Sequence, residues 1–350
     1  MRKNIKLLIA GFAFLASSYV VVQLFVPLHF EDRPVEVLIP EGTSFRQALD
    51  ILIQTGLMRD KNLFIIIGRL TGADRKIRAG YYSFREKMMP IQVYEILKKG
   101  KIIEYDVTIV EGDSLAEIGE KLASFGLVSV EEFNTLARDR EFLRSLLVEA
   151  PSIEGYLFPQ TYRIPKGASP QTIMRVMVQK LREEYNEKLK ERTKTMGWTE
   201  HEALTLASII EKEAVVDSER TIISAVYHNR MKKGMPLQAD PTAVYGVKSA
   251  KQKILKKDLL NKTDYNTYVI EGLPPGPIAS PGLKSIVAAL YPANVPYFYF
   301  VSKRDGTHHF SETLQEHLDA IRRVKAQKEQ DAGQDDTVSE SSEEAPQRKS

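Results

Sequence analysis

The chain has 350 residues, of which 43% are hydrophobic and 27% charged, the composition of an ordinary globular protein with two or three folded units. Its formal net charge is only +3, and Lys and Arg are interleaved with Asp and Glu, which argues against a nucleic-acid-binding protein. The absence of cysteine excludes disulfides, thiol nucleophiles and Cys-ligated metal sites.

The first predicted element is a membrane-spanning helix. Arg2, Lys3 and Lys6 precede an uncharged, mostly apolar stretch over residues 7–28, about the length needed to cross a bilayer. A cleavable signal peptide is the alternative, but its apolar core is shorter, and here the apolar run continues past the small residues 16–18. The positive flank predicts a cytoplasmic N-terminus and an extracytoplasmic remainder from Glu31 onward. Residues 31–34 are interpreted as a polar linker.

Two stretches then repeat each other about 70 residues apart. Each predicts a short strand, a Glu-Gly turn and a helix that is capped by Thr43 or Ser44 in the first copy and by Asp113 or Ser114 in the second. The pattern resembles the LysM sugar-binding module, although a packing unit without a ligand remains an equal alternative. The matching positions are Val37, Ile39, Glu41, Gly42, Ser44, Leu52, Gly56 and Leu57 with Val107, Ile109, Glu111, Gly112, Ser114, Leu122, Gly126 and Leu127.

From residue 151 the character changes. An aromatic segment over residues 154–162 leads to one long helix that begins at Ser169-Pro170 and is closed by Gly197. Helices over 200–216 and 218–233 follow, and then an irregular region over 237–281, a length that is uncommon outside functional sites. A strand over 297–301 and the turn Arg304-Asp305-Gly306 predict a hairpin, after which a helix runs from Ser311 to about Lys328.

We therefore predict an α+β protein with four segments. Residues 1–30 are the cytoplasmic start and transmembrane anchor, 31–150 the LysM-like repeated αβ region, 151–328 a mixed α+β catalytic domain, and 329–350 a disordered tail. The tail is acidic, Ser-rich and almost free of apolar residues, so it cannot bury a core.

Glu211 is the first candidate for chemistry. On a helical wheel it lies inside an apolar arc, where burial of an unpaired carboxylate favours the protonated acid that glycosidic-bond cleavage requires. A structural ion pair with Arg220 or Arg230 is the alternative. Glu213 lies about 160° round the same helix, so the two are not expected to face one cavity. Ordinary glycosidases need two carboxylates, and whether Asp240 supplies a second stays open at this point.

Several motifs in order resemble one family, the endolytic murein transglycosylases, also called YceG-like or MltG. The resemblance covers nearly the whole chain outside the acidic tail, and Ser280 stands where many members have Asn. The motifs are Glu211-Lys212-Glu213, Ser218-Glu219-Arg220, His228-Asn229-Arg230, Gln238-Ala239-Asp240-Pro241, Tyr265-Asn266-Thr267-Tyr268, Gly272-Leu273-Pro274-Pro275-Gly276, Pro281-Gly282 and Gly306-Thr307-His308.

The resemblance implies a membrane-anchored lytic transglycosylase fold and activity. One glutamate, taken as Glu211, protonates the bond between N-acetylmuramic acid and N-acetylglucosamine inside nascent glycan strands. The same carboxylate then accepts the C6 hydroxyl proton as a 1,6-anhydro end forms, which ends polymerisation. Asp240, Asn266, Tyr268 and Gln238 are expected to bind substrate.

The remaining expectations concern Tyr156, metals and partners. Tyr156 is a candidate for stacking on a sugar. Neither a metal nor a cofactor is expected, since His308 and His309 are neighbours on a strand and point to opposite faces. The expected partners are peptidoglycan glycan strands, the membrane and peptidoglycan synthases. A membrane-bound scaffold that only binds peptidoglycan, and a muramidase using Glu211 with Asp240, are the rival functions.

Overall fold

The computed structural model describes residues 2–28, 34–85, 87–248, 252 and 254–340. The predicted linker at 31–33 and the tail at 341–350 lie outside the described residues. The chain divides into two compact units, the first formed by Met1–Val107, Ser124–Leu127 and Thr161–Ser169, and the second by Thr108–Ala123, Val128–Gln160 and Pro170–Ser350.

The first unit opens with the predicted apolar helix. Helix α1 has a mean hydropathy of 2.0 over Lys3–Phe25 and is long and apolar enough to cross a membrane. The elements of this unit are α1 (Arg2–Phe25), β1 (Val35–Ile39), α2 (Phe45–Gln54), α3 (Asn62–Thr71), β2 (Gly80–Phe84), α4 (Pro90–Lys98), β3 (Glu104–Thr108) and β4 (Thr161–Pro165).

The first copy of the repeat forms the strand–turn–helix that its sequence predicts. Strand β1 pairs antiparallel with β2, with Val35 opposite Phe84 and Ile39 opposite Gly80. Ser44 caps α2 in a capping box, because Gln47 returns a hydrogen bond to the Ser44 N–H. The apolar sides of both elements pack into one core around Leu49, Leu52, Tyr82 and Tyr94.

The second copy is divided between the two units. Its strand, β3, pairs with β4, whereas its helix, α5 (Leu115–Ser124), begins in the second unit. Ser114 and Glu117 form the reciprocal cap of α5. The predicted domain boundary after residue 150 therefore falls inside the second unit.

The second unit consists mainly of helices, and among its described residues one hairpin precedes the last helix. Its other elements are α6 (Val130–Leu136), α7 (Arg140–Ser145), α8 (Pro170–Glu184), α9 (Glu187–Thr195), α10 (Glu200–Glu213), α11 (Arg220–Lys232), α12 (Asp240–Val244), α13 (Leu283–Leu290), β5 (Tyr299–Ser302), β6 (His308–Ser311) and α14 (Leu314–Glu340). Helix α10 packs against α9, α11, α12 and α13, which places it at the centre of this unit.

Three predicted helix bounds differ from the structure. The long helix from Pro170 is broken after Glu184, because the Asn186 side chain accepts a hydrogen bond from the Leu189 N–H and starts a new helix. Helix α14 begins at Leu314 and continues to Glu340, beyond the predicted end near Lys328. Residues 329–340, the start of the predicted disordered tail, therefore continue the helix.

Candidate active site

Helix α10 is buried on every side along most of its length. All eight residues from Ala203 to Ile210 are buried, including Thr205 and Ser208. The predicted one-sided apolar stripe is therefore wrong: the helix has no solvent face that a wheel can identify. Both motif glutamates lie at its last turn, Glu211 facing one set of neighbours and Glu213 another.

Glu211 forms an internal ion pair. Its side chain is 5% exposed, and its Oε1 accepts a hydrogen bond from Arg220 Nη1 at 2.8 Å. Its Oε2 accepts the Gly282 N–H at 2.9 Å. Arg220 is itself fixed by Ser285 Oγ at 2.5 Å and Asp217 Oδ1 at 3.0 Å. The alternative of a structural pair with Arg220, raised by the sequence, is what the structure contains.

The turn of the second repeat closes over this ion pair. The Gly112 N–H donates to the Ser280 carbonyl and the Ser280 N–H donates to the Asp113 carbonyl, both at 2.8 Å. The Glu111 carboxylate fills the space above Gly282 that a Cβ would occupy. Glu211 is therefore bordered on this side by the Gly282 backbone and by a second carboxylate, Glu111.

Glu213 has the opposite environment. The residue as a whole is partly exposed, but its carboxyl is buried and has no cationic partner among the described residues. Burial raises the pKa of Glu213 to about 8, the negative charge of Asp240 adds to that rise, and the Tyr227 hydroxyl partly opposes it. At neutral pH this carboxyl holds its proton, as a general acid must.

Asp240 and Tyr268, two of the predicted substrate residues, are brought together beside Glu213. The Tyr268 hydroxyl donates to Asp240 Oδ1 at 2.5 Å. Burial and this carboxylate raise the pKa of Tyr268, so the phenol remains a donor. Asp240 is exposed and Tyr268 half-buried, which leaves both within reach of a ligand.

Gln238 lies just before Asp240 in a left-handed backbone conformation, with φ of 52°. Its N–H donates to the Thr267 carbonyl at 3.1 Å, and its Oε1 accepts from Arg230 Nη1 at 3.2 Å. The residue is exposed. Its position is compatible with the predicted contact to substrate.

Asn266 and Tyr156, two predicted substrate contacts, are buried in the protein and hydrogen-bonded to other residues of the chain. Asn266 is completely buried, donates to the carbonyls of Leu259 and Asn261 and accepts the Tyr268 N–H at 3.0 Å. It therefore shapes the loop that carries Tyr268. Tyr156 is 2% exposed and its hydroxyl meets His201 Nδ1 at 3.0 Å.

Glu154 is an ionisable residue that the sequence analysis did not single out. Burial raises its pKa to about 7, against the opposing hydrogen bonds from Tyr245 and Leu115. Its carboxylate accepts the Leu115 N–H at 2.9 Å and the Tyr245 hydroxyl at 2.8 Å. The sequence feature that could have identified Glu154 is its position as an acidic residue at the start of the aromatic segment over residues 154–162. Its contacts make it the cap of helix α5.

The β5–β6 hairpin contacts the chain between the end of α10 and the start of α11. The carboxylate of Glu219 accepts the His308 N–H at 3.0 Å and contacts its Nδ1 at 2.7 Å. Both oxygens of Glu219 therefore have hydrogen-bond partners within the protein. Across the described residues, no cluster of three or more His, Asp or Glu side chains could hold a metal ion.

Comparison with known proteins agrees with the motif pattern. Residues 37–323 match the model of the YceG-like family. The chain belongs to this family. A relative from Bacillus subtilis, named endolytic murein transglycosylase, is 33% identical over 327 residues, covering 89% of each chain. A Streptococcus pneumoniae relative of the same name is 27% identical, but this chain spans only 57% of its length.

A solved structure gives the same result for the fold of this YceG-like chain. The 2.6 Å crystal structure of a YceG-like protein from Listeria monocytogenes aligns with a TM-score of 0.57 at 30% identity. The alignment covers 83% of this chain and 99% of that one.

Proposed function

We propose that this chain is an endolytic murein transglycosylase with Glu213 as its acid. It cleaves the bond between N-acetylmuramic acid and N-acetylglucosamine within nascent strands and so ends their polymerisation. The observation that carries the assignment is the Glu213 carboxyl, which lies beside Asp240 and whose pKa burial raises to about 8. The names of the bacterial relatives support the reaction class.

The choice of Glu213 replaces the expectation for Glu211. Both oxygens of Glu211 already accept hydrogen bonds from Arg220 and Gly282, so neither can present a proton to a sugar. Removing that carboxylate from its partner would also leave a buried guanidinium poorly compensated. We infer that Glu211 holds the end of α10 against the loop at Gly282, and that Glu213, beyond this anchor, performs the chemistry.

The reaction requires one proton to leave and return. Protonated Glu213 donates to the glycosidic oxygen as the bond to C1 of the muramoyl residue breaks. The resulting carboxylate then accepts the proton of the C6 hydroxyl, whose oxygen bonds to C1 and gives a 1,6-anhydro end. Because the nucleophile belongs to the substrate, no second carboxylate is needed to activate water. Asp240 and Tyr268 border the acid and contact the sugar, with Gln238 beside them.

The apolar helix α1 supports a place at the membrane. With Arg2, Lys3 and Lys6 at its start, it leaves the N-terminus in the cytoplasm and the chain that follows the helix outside. There the enzyme meets strands as peptidoglycan synthases extend them. The LysM-like repeat is proposed to contact glycan as well, and its second copy contributes the Glu111-Gly112 turn described above.

The test compares two isosteric variants of the full-length protein in detergent. Glu213→Gln removes the proposed acid, and Glu211→Gln is its matched control two residues earlier on the same helix. Each is incubated with purified glycan strands, and the new ends are identified by mass spectrometry. We expect anhydro ends from the wild-type protein, none from Glu213→Gln, and residual cleavage from Glu211→Gln in proportion to its folded fraction.

Other outcomes have distinct meanings. Reducing ends in place of anhydro ends would point to the muramidase, with Asp240 beside Glu213 as its second carboxylate. Strand binding without any cleavage would indicate the scaffold. Full activity of Glu213→Gln together with a folded but inactive Glu211→Gln would return the acid to Glu211.

A further inference from the structure

A groove of about 520 Å³ lies between the hairpin and helix α14. One wall carries Lys303, Arg304 and His309 of the hairpin, and the other carries Arg323 and neighbouring residues of α14. Hairpin side chains alternate between faces, and Phe300 and His308 occupy the inner face, where they contact each other's rings. Lys303 and His309 are on the outer face, so the groove lies on the side of the hairpin away from that aromatic cluster.

The groove presents cations without matching anions. Lys303, Arg304 and Arg323 are all exposed, and none of them forms an ion pair with another described residue. Asp305 is the one carboxylate among the described residues that line the groove. It accepts the Thr307 N–H at 2.8 Å, and hydrogen bonds from Thr307 and, to a smaller extent, the charge of Lys303 lower its pKa, so one negative charge stands against three cations. Asp319, one turn before Arg323 on α14, is paired with Arg322. The groove therefore has an excess of positive charge available to a ligand.

The groove lies one hairpin turn away from the proposed acid. Gly306 at the tip of the hairpin packs against Val215, which is two residues after Glu213. On the inner face, the Phe300 ring contacts Tyr227, the neighbour of Glu213, with ring centroids 6.0 Å apart. Two residues of chain span at most about 7 Å, so a ligand group attached to a sugar at Glu213 starts close to the tip.

We propose that this groove binds the carboxylates of the peptide stem carried by the muramic acid residue that is being cleaved. The proposal rests on the proposed function and names the part of murein that the groove recognises. Stem peptides end in free carboxylates, and an extended stem of four or five residues reaches about 15 Å, enough to pass the tip of the hairpin. Planar guanidinium groups such as those of Arg304 and Arg323 match carboxylates in a two-pronged fashion.

The experiment measures binding, which is independent of cleavage. Full-length Glu213→Gln protein in detergent is titrated with glycan strands whose stems are intact, and with strands whose stem carboxylates have been converted to amides. The groove variant adds Lys303→Gln, Arg304→Gln and Arg323→Gln. The matched control instead adds Lys188→Gln, Lys194→Gln and Lys233→Gln, which neutralise the same number of exposed cations elsewhere in the second unit.

We expect the groove substitutions to weaken binding of intact strands by about tenfold, since each exposed charge pair contributes a modest amount and three act together. Binding of amidated strands should remain unchanged, and the control should bind both as the parent does. The loss should shrink as salt is raised.

Equal binding of intact and amidated strands by the parent, or equal losses on both in the groove variant, would overturn the proposal. The proposal would also be overturned if the groove variant bound glycan strands normally and lost only its binding to anionic lipid vesicles, because the groove would then be a membrane contact. Absence of cleavage by the wild-type protein in the separate product assay would refute the proposed function and leave this binding result readable.

Discussion

If Glu213 is the buried acid described above, replacing it with Gln should stabilise the fold as pH rises. The ordinary pKa of a Glu carboxyl is 4.5 and the pKa of Glu213 in the folded protein is about 8, so the folded state binds the proton more tightly than the unfolded state. Stability from this group is complete below pH 4.5 and is lost as pH rises toward 8. Linkage gives a loss of about 3 kcal/mol between pH 5 and pH 8, an upper value because the side chain is half-buried.

The assay is urea unfolding of the full-length protein in detergent at pH 5 and at pH 8. Trp198, the one tryptophan of the chain, stacks on His228 at 5.0 Å between ring centroids and reports on the second unit. We expect Glu213→Gln to match the wild-type protein near pH 5 and to exceed its free energy of unfolding at pH 8. Glu154 titrates in the same direction in both proteins, so the difference between them isolates Glu213.

Glu211→Gln is the control, and it should lower the free energy of unfolding where Glu213→Gln raises it. It leaves Arg220 with Asp217 and Ser285 as its remaining partners, which should cost roughly 2 kcal/mol at both pH values. The reasoning would be refuted if the difference in free energy of unfolding between the wild-type protein and Glu213→Gln were the same at pH 5 and pH 8. The Glu213 carboxyl would then titrate alike in the folded and unfolded states.

Three further predictions concern the neighbours of this acid. Asp240→Asn removes a charge that raises the pKa of Glu213, so the alkaline limb of the pH–rate profile for strand cleavage should move to lower pH. Asn266→Ala should cost about 2 kcal/mol in thermal unfolding, because it leaves buried backbone groups unpaired. Gly282→Ala places a Cβ against the Glu111 carboxylate and should destabilise by about 1 kcal/mol, with the loss recovered when Glu111→Ala is added.

The sequence predicted local structure well where the signal was local. Ser44 and Ser114 cap helices at the predicted places because the capping box needs only residues three apart. The proline at 170 starts a helix for a similarly local reason. The break after Glu184 was missed because the apolar spacing continues through Tyr185 and Leu189, and only the cap by Asn186 separates the two helices.

The division into units could not be predicted in the same way. The second repeat looks like a copy of the first in sequence, yet its helix belongs to the second unit, where Glu154 accepts the Leu115 N–H. That hydrogen bond joins residues 39 apart in sequence. No periodicity within one window can report a contact of this range.

The choice between Glu211 and Glu213 also depends on contacts that are distant in sequence. The motif Glu211-Lys212-Glu213 contains both candidate acids, but a helical wheel cannot choose between them. It assigns burial only when a helix has a solvent-exposed side, and α10 has none over Ala203–Ile210. In such a helix, the role of each carboxyl depends on the groups that it contacts in the rest of the fold. A guanidinium and a backbone N–H take up Glu211, which then secures the loop at Gly282. Glu213 meets another carboxylate instead of a cation, so burial and repulsion favour its protonated form. In the proposed function, two glutamates separated by one lysine therefore act as an anchor and as an acid, because their neighbours differ and not their residue type.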